Sequence, residues 1–459
     1  MMFVEGIRPL KRANGLLRVL LFIPFFAGIF VNGNAQNITD TTHYLTLEQC
    51  IRYALEHQPA LNQAILNQAV TKATNAINLS GWYPQVSGNM NITHYLQLPT
   101  SYVTDPNNPS SAILEQTGIV NTAIPGVSAT QTIFNPSLVY ASKTAPLYTK
   151  QATQITDSTK IDLVAAVSKS FYSVLLTLEQ INVLKEDTIR LSRSLTDAYH
   201  QYVGGIVDET DYKQAAISLN NSKASLRQAT ENLRPAYTTL KQLMGFLPDQ
   251  NFDIVVDSDK ILKDIYIDTT QQLQYEKRIE YQLLQTSKKL QQQLTMYYQH
   301  AYLPSVNAFF NYNAEFESNK YRNLYRAIYP YSYLGLSLTI PIFTGFARIK
   351  NIQRSRLMEK ELNWGETALE LEINNEYATA LANYRGNLYS MQMMKENVAL
   401  AERVYFVVDL QYKQGIVAYL NVITAETNLI TSEINYINAL YQVLSNKIDL
   451  EKALGIITY

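Results

Sequence analysis

Residues Asn375–Gly415 read NEYATALANYRGNLYSMQMMKENVALAERVYFVVDLQYKQG, and within them Tyr377, Tyr384, Met391, Val398, Tyr405 and Tyr412 fall seven apart. Leu381 and Leu388 lie on the neighbouring seam. Seven-residue apolar spacing sustained over many turns keeps one stripe of a helix against a neighbour, as in a coiled coil. No proline interrupts Phe346 to Tyr412. A helix is therefore expected over about 346–413, roughly 100 Å long at 1.5 Å per residue. Gly415 can then turn the chain in a left-handed conformation, and a shorter helix is expected to return over about 418–454.

The same text occurs earlier in the chain. Moving back 210 residues gives Val167, Val174, Ile181, Thr188, Leu195 and Tyr202, with Phe171 and Leu178 on the second seam. Tyr202-Val203-Gly204-Gly205-Ile206-Val207 matches Tyr412-Lys413-Gln414-Gly415-Ile416-Val417, and Leu243-Met244-Gly245 matches Ala453-Leu454-Gly455. Ile133-Phe134-Asn135 matches Ile342-Phe343-Thr344, and Tyr83-Pro84-Gln85-Val86 matches Leu303-Pro304-Ser305-Val306. Four ordered matches mark an internal duplication. The expected organisation is a first repeat over 36–245, a linker over 246–270 with little regular structure, and a second repeat over 271–459. Long helices are expected at about 136–203 and 209–244 in the first half, turning at Gly204-Gly205.

Ahead of each long helix the period changes to two. Val86, Gly88, Met90 and Ile92 alternate with Ser87, Asn89, Asn91 and Thr93. In the second half Leu334, Leu336, Leu338 and Ile340 alternate with Tyr333, Gly335, Ser337 and Thr339. This is the signature of strands with two unlike faces. Four are expected, at about 85–97, 127–134, 304–317 and 331–343, and Leu98–Gly126, rich in Pro, Ser, Asn and Thr, reads as loop. The fold class is thus mainly α with a small β portion.

Arg8, Lys11, Arg12 and Arg18, opposed only by Glu5, precede the apolar run Val19–Val31 and the small residues Gly33 and Ala35. Residues 1–35 read as a secretory signal peptide. The run is too short to span a bilayer, which takes about 20 residues, and no other apolar run approaches that length. Net charge is −1. No stretch concentrates Lys and Arg, which excludes nucleic acid as a partner. Cys50 is the only cysteine; it lies in an amphipathic pattern and reads as a small core residue. His43, His57, His94, His200 and His300 lack metal-ligand spacing. Met391-Gln392-Met393-Met394 on a helix seam reads as packing, with metal export the rival. No nucleotide loop or nucleophile elbow appears, so neither a cofactor nor an enzyme is expected.

The strands are long enough to cross an outer membrane when tilted. In hydrocarbon a sheet edge cannot stay unpaired, so the sheet must close. Four strands are too few, because the smallest closed barrels need about eight. Three copies would supply twelve strands with room for a lumen, so a homotrimer in contact with outer-membrane lipid is the expected assembly. The long helices carry Lys185, Glu186, Asp187, Arg190 and Arg193 and must extend into water. Tyr321, Tyr325, Tyr329, Tyr331 and Tyr333 are expected to form an aromatic girdle at the membrane interface. A periplasmic coiled-coil adaptor or scaffold is the alternative, and it leaves the four strands unexplained.

Leu45-Thr46-Leu47-Glu48-Gln49-Cys50-Ile51-Arg52-Tyr53-Ala54-Leu55, then Pro59-Ala60-Leu61, resembles the opening of mature TolC-like outer-membrane efflux proteins. Tyr202–Asn220 and Tyr412–Leu429 resemble that family's paired tip signature. The resemblance implies a trimer with a twelve-stranded barrel and a long α-helical barrel in the periplasm. It also implies docking to a periplasmic adaptor (membrane fusion) protein and an inner-membrane transporter, and opening at the helical tip. Family members narrow the tip with a pattern similar to Asp-Val-Leu-Asp-Ala; here the matching stretch is Asn421-Val422-Ile423-Thr424-Ala425, neutral at both acidic positions. Asp211 stands opposite Asn421 in the repeat, near Asp208. The candidate gate is therefore Asp208, Asp211, Tyr412, Asn421 and Thr424, with Asp211 hydrogen-bonded to Tyr412, at tip turns made by Gly204, Gly205 and Gly415.

Overall fold

The computed structural model describes residues 43–106, 108–248, 250–255, 261–262 and 265–459. The signal peptide expected at 1–35 lies outside the described residues. A short strand β1 (His43–Leu45) leads into α1 (Leu47–His57) and α2 (Pro59–Leu79). Thr46 and Gln49 close a capping box at the start of α1, and Pro59 sets the break between the two helices. Strands β2 (Gln85–His94), β3 (Thr100–Asp105), β4 (Asn108–Gln116) and β5 (Asn121–Phe134) follow. Then come α3 (Pro136–Val203), α4 (Glu209–Met244) and β6 (Phe252–Ile254). The second half holds α5 (Ile279–His300), β7 (Ser305–Ser318), β8 (Tyr329–Thr339), α6 (Ala347–Lys413) and α7 (Tyr419–Leu454). The fold is mainly helical with a small strand portion, and its second half repeats the first.

One four-stranded antiparallel sheet, in the order β2-β5-β7-β8, carries all four expected strands. Its register aligns Val86, Ala129, Phe310 and Leu334 in a row across the sheet. Because the side-chain period is two, the next row, Ser87, Ser128, Asn311 and Tyr333, projects from the other face. One face is thus apolar and the other rich in Ser, Asn and Tyr. Tyr329, Tyr331 and Tyr333 pair with Glu315, Asn313 and Asn311 and so belong to the polar face, correcting the aromatic girdle expected there.

Three further departures have local causes. The expected loop 98–126 contains the β3–β4 hairpin: its Ser and Thr read as turn formers, but Tyr102-Val103-Thr104 and Ala112-Ile113-Leu114 pair. Strand β5 starts at Asn121, earlier than 127, because Pro125-Gly126 disguises its alternation. The ladder from β5 to β7 simply skips Ile124 and Pro125. Strand β8 stops at Thr339, ahead of Pro341 and short of 343.

The main core lies where α1, α3, α4, α7 and the linker meet. Cys50, Val167, Phe171, Val174, Leu240, Met244 and Leu444 pack there, all at or below 2% exposure. Burial pushes the Cys50 thiol up to about 12, which makes it an inert packing group. Part of α3 is long and apolar enough to cross a membrane, contrary to the expectation that only the signal run came near; 56% of that part is buried, as in a core helix. The linker also departs from expectation: β6 pairs in parallel with β1. Tyr384, placed on the coiled-coil seam by spacing, instead bridges the linker, donating to the Ile265 carbonyl at 2.9 Å and accepting from the Ile267 amide at 3.1 Å.

Both halves end in the same joint. Gly245 (φ 69°) and Gly455 (φ 68°) close α4 and α7, and a Cβ on either would meet backbone oxygen, of His57 at 2.7 Å and of Lys277 at 2.9 Å. Beside the first, Gln58 donates to the Leu243 carbonyl at 2.9 Å. Beside the second, buried Arg278 donates to the Ala453 carbonyl at 3.1 Å and pairs with Glu280 and Glu376. Arg278→Ala should lower stability to denaturant by about 2–4 kcal/mol, because it strands a buried carbonyl and removes two ion pairs, and Gln58→Ala by about 1 kcal/mol. Equal small losses in both would refute the assignment of Arg278 as the second joint's anchor.

Candidate functional site at the helical tip

The tip consists of two helical hairpins, α3–α4 and α6–α7. Their turns are drawn alike: the Ile206 amide donates to the Gln201 carbonyl and the Ile416 amide to the Gln411 carbonyl, each at 2.9 Å. Gly205 (φ 68°) and Gly415 (φ 72°) take the left-handed position. Gly204 has φ −75°, so its backbone conformation does not itself require glycine. The helix starts differ. Asp208 caps α4 by accepting from the Glu209 amide at 2.6 Å, while Ala418 offers α7 no side-chain cap.

Between the hairpins Ala198, Ala215, Tyr412, Tyr419 and Val422 form a small buried cluster. The Tyr412 and Tyr419 rings stand 5.2 Å apart, and the Tyr419 hydroxyl shares a 2.7 Å hydrogen bond with Ser194 on α3. Tyr419 thus joins one hairpin to the other. The sequence reading missed it, although it falls seven residues after Tyr412 and continues the stripe across the turn.

Asp211 is half-buried beside Tyr412, but the two are not hydrogen-bonded. The Tyr412 hydroxyl is buried and has no hydrogen-bond partner among the described residues. Burial, with the Asp211 charge next in importance, pushes Tyr412 up to about 12. Burial first, and then the neighbouring Asp208 charge, raise Asp211 from its ordinary value. Asn421 and Thr424 are exposed on α7, away from this pair, and the Thr424 hydroxyl donates to the Leu420 carbonyl at 2.9 Å. The structure therefore brings together Asp211 and Tyr412, and leaves Asp208 as a cap and Asn421 and Thr424 on the surface.

A family model described as outer membrane efflux protein matches residues 50–246 and 289–456. The chain belongs to the outer membrane efflux protein family. That family is one of channel proteins. Solved structures share the fold at low identity. The outer membrane protein VceC from Vibrio cholerae superposes with a TM-score of 0.71 at 14% identity, over 89% of this chain and 96% of that one. CusC gives 0.73 at 17%, over 92% and 95%. The open-state MtrE outer membrane channel of Neisseria gonorrhoeae gives 0.68 at 17%, over 89% and 88%. No curated protein matches.

In this efflux-family chain a second polar site lies further along the hairpins from the turns. Asp187 and Arg190 of α3 meet Glu426 and Glu433 of α7, with Ser222 of α4 donating to Asp187 at 2.5 Å. Arg190 approaches Asp187, Glu426 and Glu433 at 3.8, 3.9 and 3.6 Å, too far for hydrogen bonds. One guanidinium thus faces three carboxylates beside a cavity of about 340 Å³. Glu426 is 1% exposed, and both its carboxylate oxygens lack hydrogen-bond partners among the described residues. Burial, aided by Asp187 and opposed by Arg190, raises it from 4.5 to about 7. A carboxyl raised on folding stabilises the folded state in its protonated form. That contribution is complete below pH 4.5 and is lost as pH climbs through about 7. Glu426→Gln should therefore raise the thermal midpoint at pH 8, by roughly 1–3 kcal/mol in stability, with little effect at pH 5. An unchanged pH profile would show that Glu426 stays ionised throughout.

Proposed function

We propose that three copies of this chain form a passive outer-membrane channel that serves a tripartite efflux or type I secretion system. The observation that carries the proposal is the four-stranded sheet, apolar on one face, with two edges left open. Among the described residues, strands β2 and β8 each pair on one side only. Val86, Met90 and Ile92 on β2 and Leu334, Leu336 and Leu338 on β8 are exposed in the protomer. Edges inside hydrocarbon require a partner strand. Joining β2 of one copy to β8 of the next supplies it, and three copies give about twelve strands. The helices then extend into the periplasm, where an adaptor protein and an inner-membrane transporter would engage them, as the family resemblance implies. A coiled-coil adaptor has no use for such a sheet.

With Ser87→Cys on β2 and Ser337→Cys on β8, mild oxidation should produce linked dimers and trimers in membranes, since Cys50 is buried and silent. The unmodified protein should form pores in planar bilayers. A water-soluble monomer that makes neither would overturn the proposal.

At the tip, Asp211 and the buried Tyr412 cluster hold the two hairpins of each protomer together and keep the channel closed. Asp211→Ala and Tyr412→Ala should raise single-channel conductance and sensitise cells to large antibiotics, Tyr412→Ala more strongly because it empties the cluster. Should Asp211→Ala behave as wild type in both assays, the acid is only a helix N-terminal charge, worth about 0.3–1 kcal/mol.

A further inference from the structure

Where the sheet gives way to helices, α3 and α5 descend from β5 and β7, the two central strands. They face one another through matched stripes, Pro136, Val139, Tyr140 and Lys143 on α3 against Gln293, Met296, Tyr297 and His300 on α5. Between the stripes lies a cavity of about 180 Å³, closed at the strand end by Phe134 and Leu303. The β5 bulge between Thr132 and Phe134 sets which face it opens on: it aligns Phe134 with Val306, which pairs with Leu338 on the apolar face. The cavity is therefore continuous with the surface assigned to lipid. It lies beneath the middle of the protomer, away from the β2 and β8 edges where neighbours would join.

The cavity is graded along the helix axis. Its strand end is apolar, with Phe134, Pro136 and Leu303. Its far end carries Lys143, about 10 Å further along α3 at 1.5 Å per residue, just past a headgroup layer of about 5–7 Å that its long stem can reach back into. Lys143 is exposed and engages no hydrogen bond or ion pair among the described residues. Tyrosines border it: the Tyr140 and Tyr297 rings are 5.2 Å apart, and the Tyr297 hydroxyl shares a 3.2 Å hydrogen bond with Ser137. The His300 ring donates to the Met296 carbonyl at 2.7 Å, which fixes it on the cavity wall. A free ammonium, amphipathic aromatics and an apolar slot in that vertical order suit one kind of molecule.

We infer that this cavity binds one anionic phospholipid of the leaflet on the helical side, with its phosphate at Lys143 and an acyl chain along Phe134, Val306 and Leu338. The inference rests on the outer-membrane channel reading.

The test is native mass spectrometry of the detergent-purified protein with phosphatidylglycerol, phosphatidylcholine and inorganic phosphate as probes, alongside pore recordings on the same preparations. Wild type should retain phosphatidylglycerol in preference to phosphatidylcholine, and inorganic phosphate should not displace it. Lys143→Glu should reduce retention about tenfold. Met296→Trp, which fills the slot and leaves the charge, should do the same, and both variants should keep wild-type pores and melting midpoint. Equal retention by the variants, equal binding of both lipids, or displacement by inorganic phosphate would overturn the inference. Pores without retained lipid refute this site alone, whereas a preparation that makes no pores refutes the channel reading beneath it.

Discussion

The open edges of the sheet constrain everything else. A protomer whose strands β2 and β8 are each paired on one side leaves two rows of amide and carbonyl groups without partners. In water such edges can be solvated, but against an apolar face they favour pairing with another copy. The sheet's register strengthens that demand. Rows such as Val86, Ala129, Phe310 and Leu334 run without a break from one edge to the other, so a neighbour's β8 set beside β2 extends the apolar face. A slip of one residue would bring Asn and Ser to that face. In the proposed assembly, edge pairing and lipid exposure would therefore select the same register.

Duplication supplies a scaffold, and the differences between its halves carry the specialisation. Gln58 and Arg278 occupy matching joints, one neutral and half-buried, the other charged, buried and tied to two glutamates. At the tip, Asp208 caps α4 where Ala418 leaves α7 uncapped, and Glu209 corresponds to Tyr419. The second hairpin gives up a cap and gains an aromatic that reaches across to Ser194. The first hairpin contributes acids and the second contributes the buried rings that those acids border. This asymmetry lets two hairpins of like spacing form a contact that two copies of one hairpin would lack.

Much of this was legible in the residues. Period seven over Tyr377–Tyr412 and its echo at Val167–Tyr202 announced the long helices, and period two announced the sheet, because both patterns are one-dimensional records of burial. What escaped had a different origin. Tyr384 sits on the stripe, yet its hydroxyl serves the linker backbone, a contact with sequence separation above a hundred residues that periodicity cannot register. The β3–β4 hairpin hid behind Ser, Thr and Asn, whose turn preference and strand tolerance are both real. Tyr331 and Tyr333 were assigned by composition, and only parity against Asn313 and Asn311 showed their face. The Asp211–Tyr412 neighbourhood came from the repeat, but the lack of a hydrogen bond between them depends on side-chain geometry alone.

The Arg190 site and the Tyr412 cluster both join α3 to α7, and they are built on opposite principles. The Tyr412 cluster is apolar and closes by packing, so its strength depends little on pH or salt. At Arg190, two nearly buried carboxylates and a third face a single guanidinium at 3.6–3.9 Å, a distance that forgoes the hydrogen bonds needed to offset desolvation. A contact of that kind is easily rearranged, since moving α7 slightly either tightens the ion pairs or admits water to the adjoining cavity. The loose contact thus lies inward of the tight one, where the Tyr419 hydroxyl meets Ser194 at 2.7 Å.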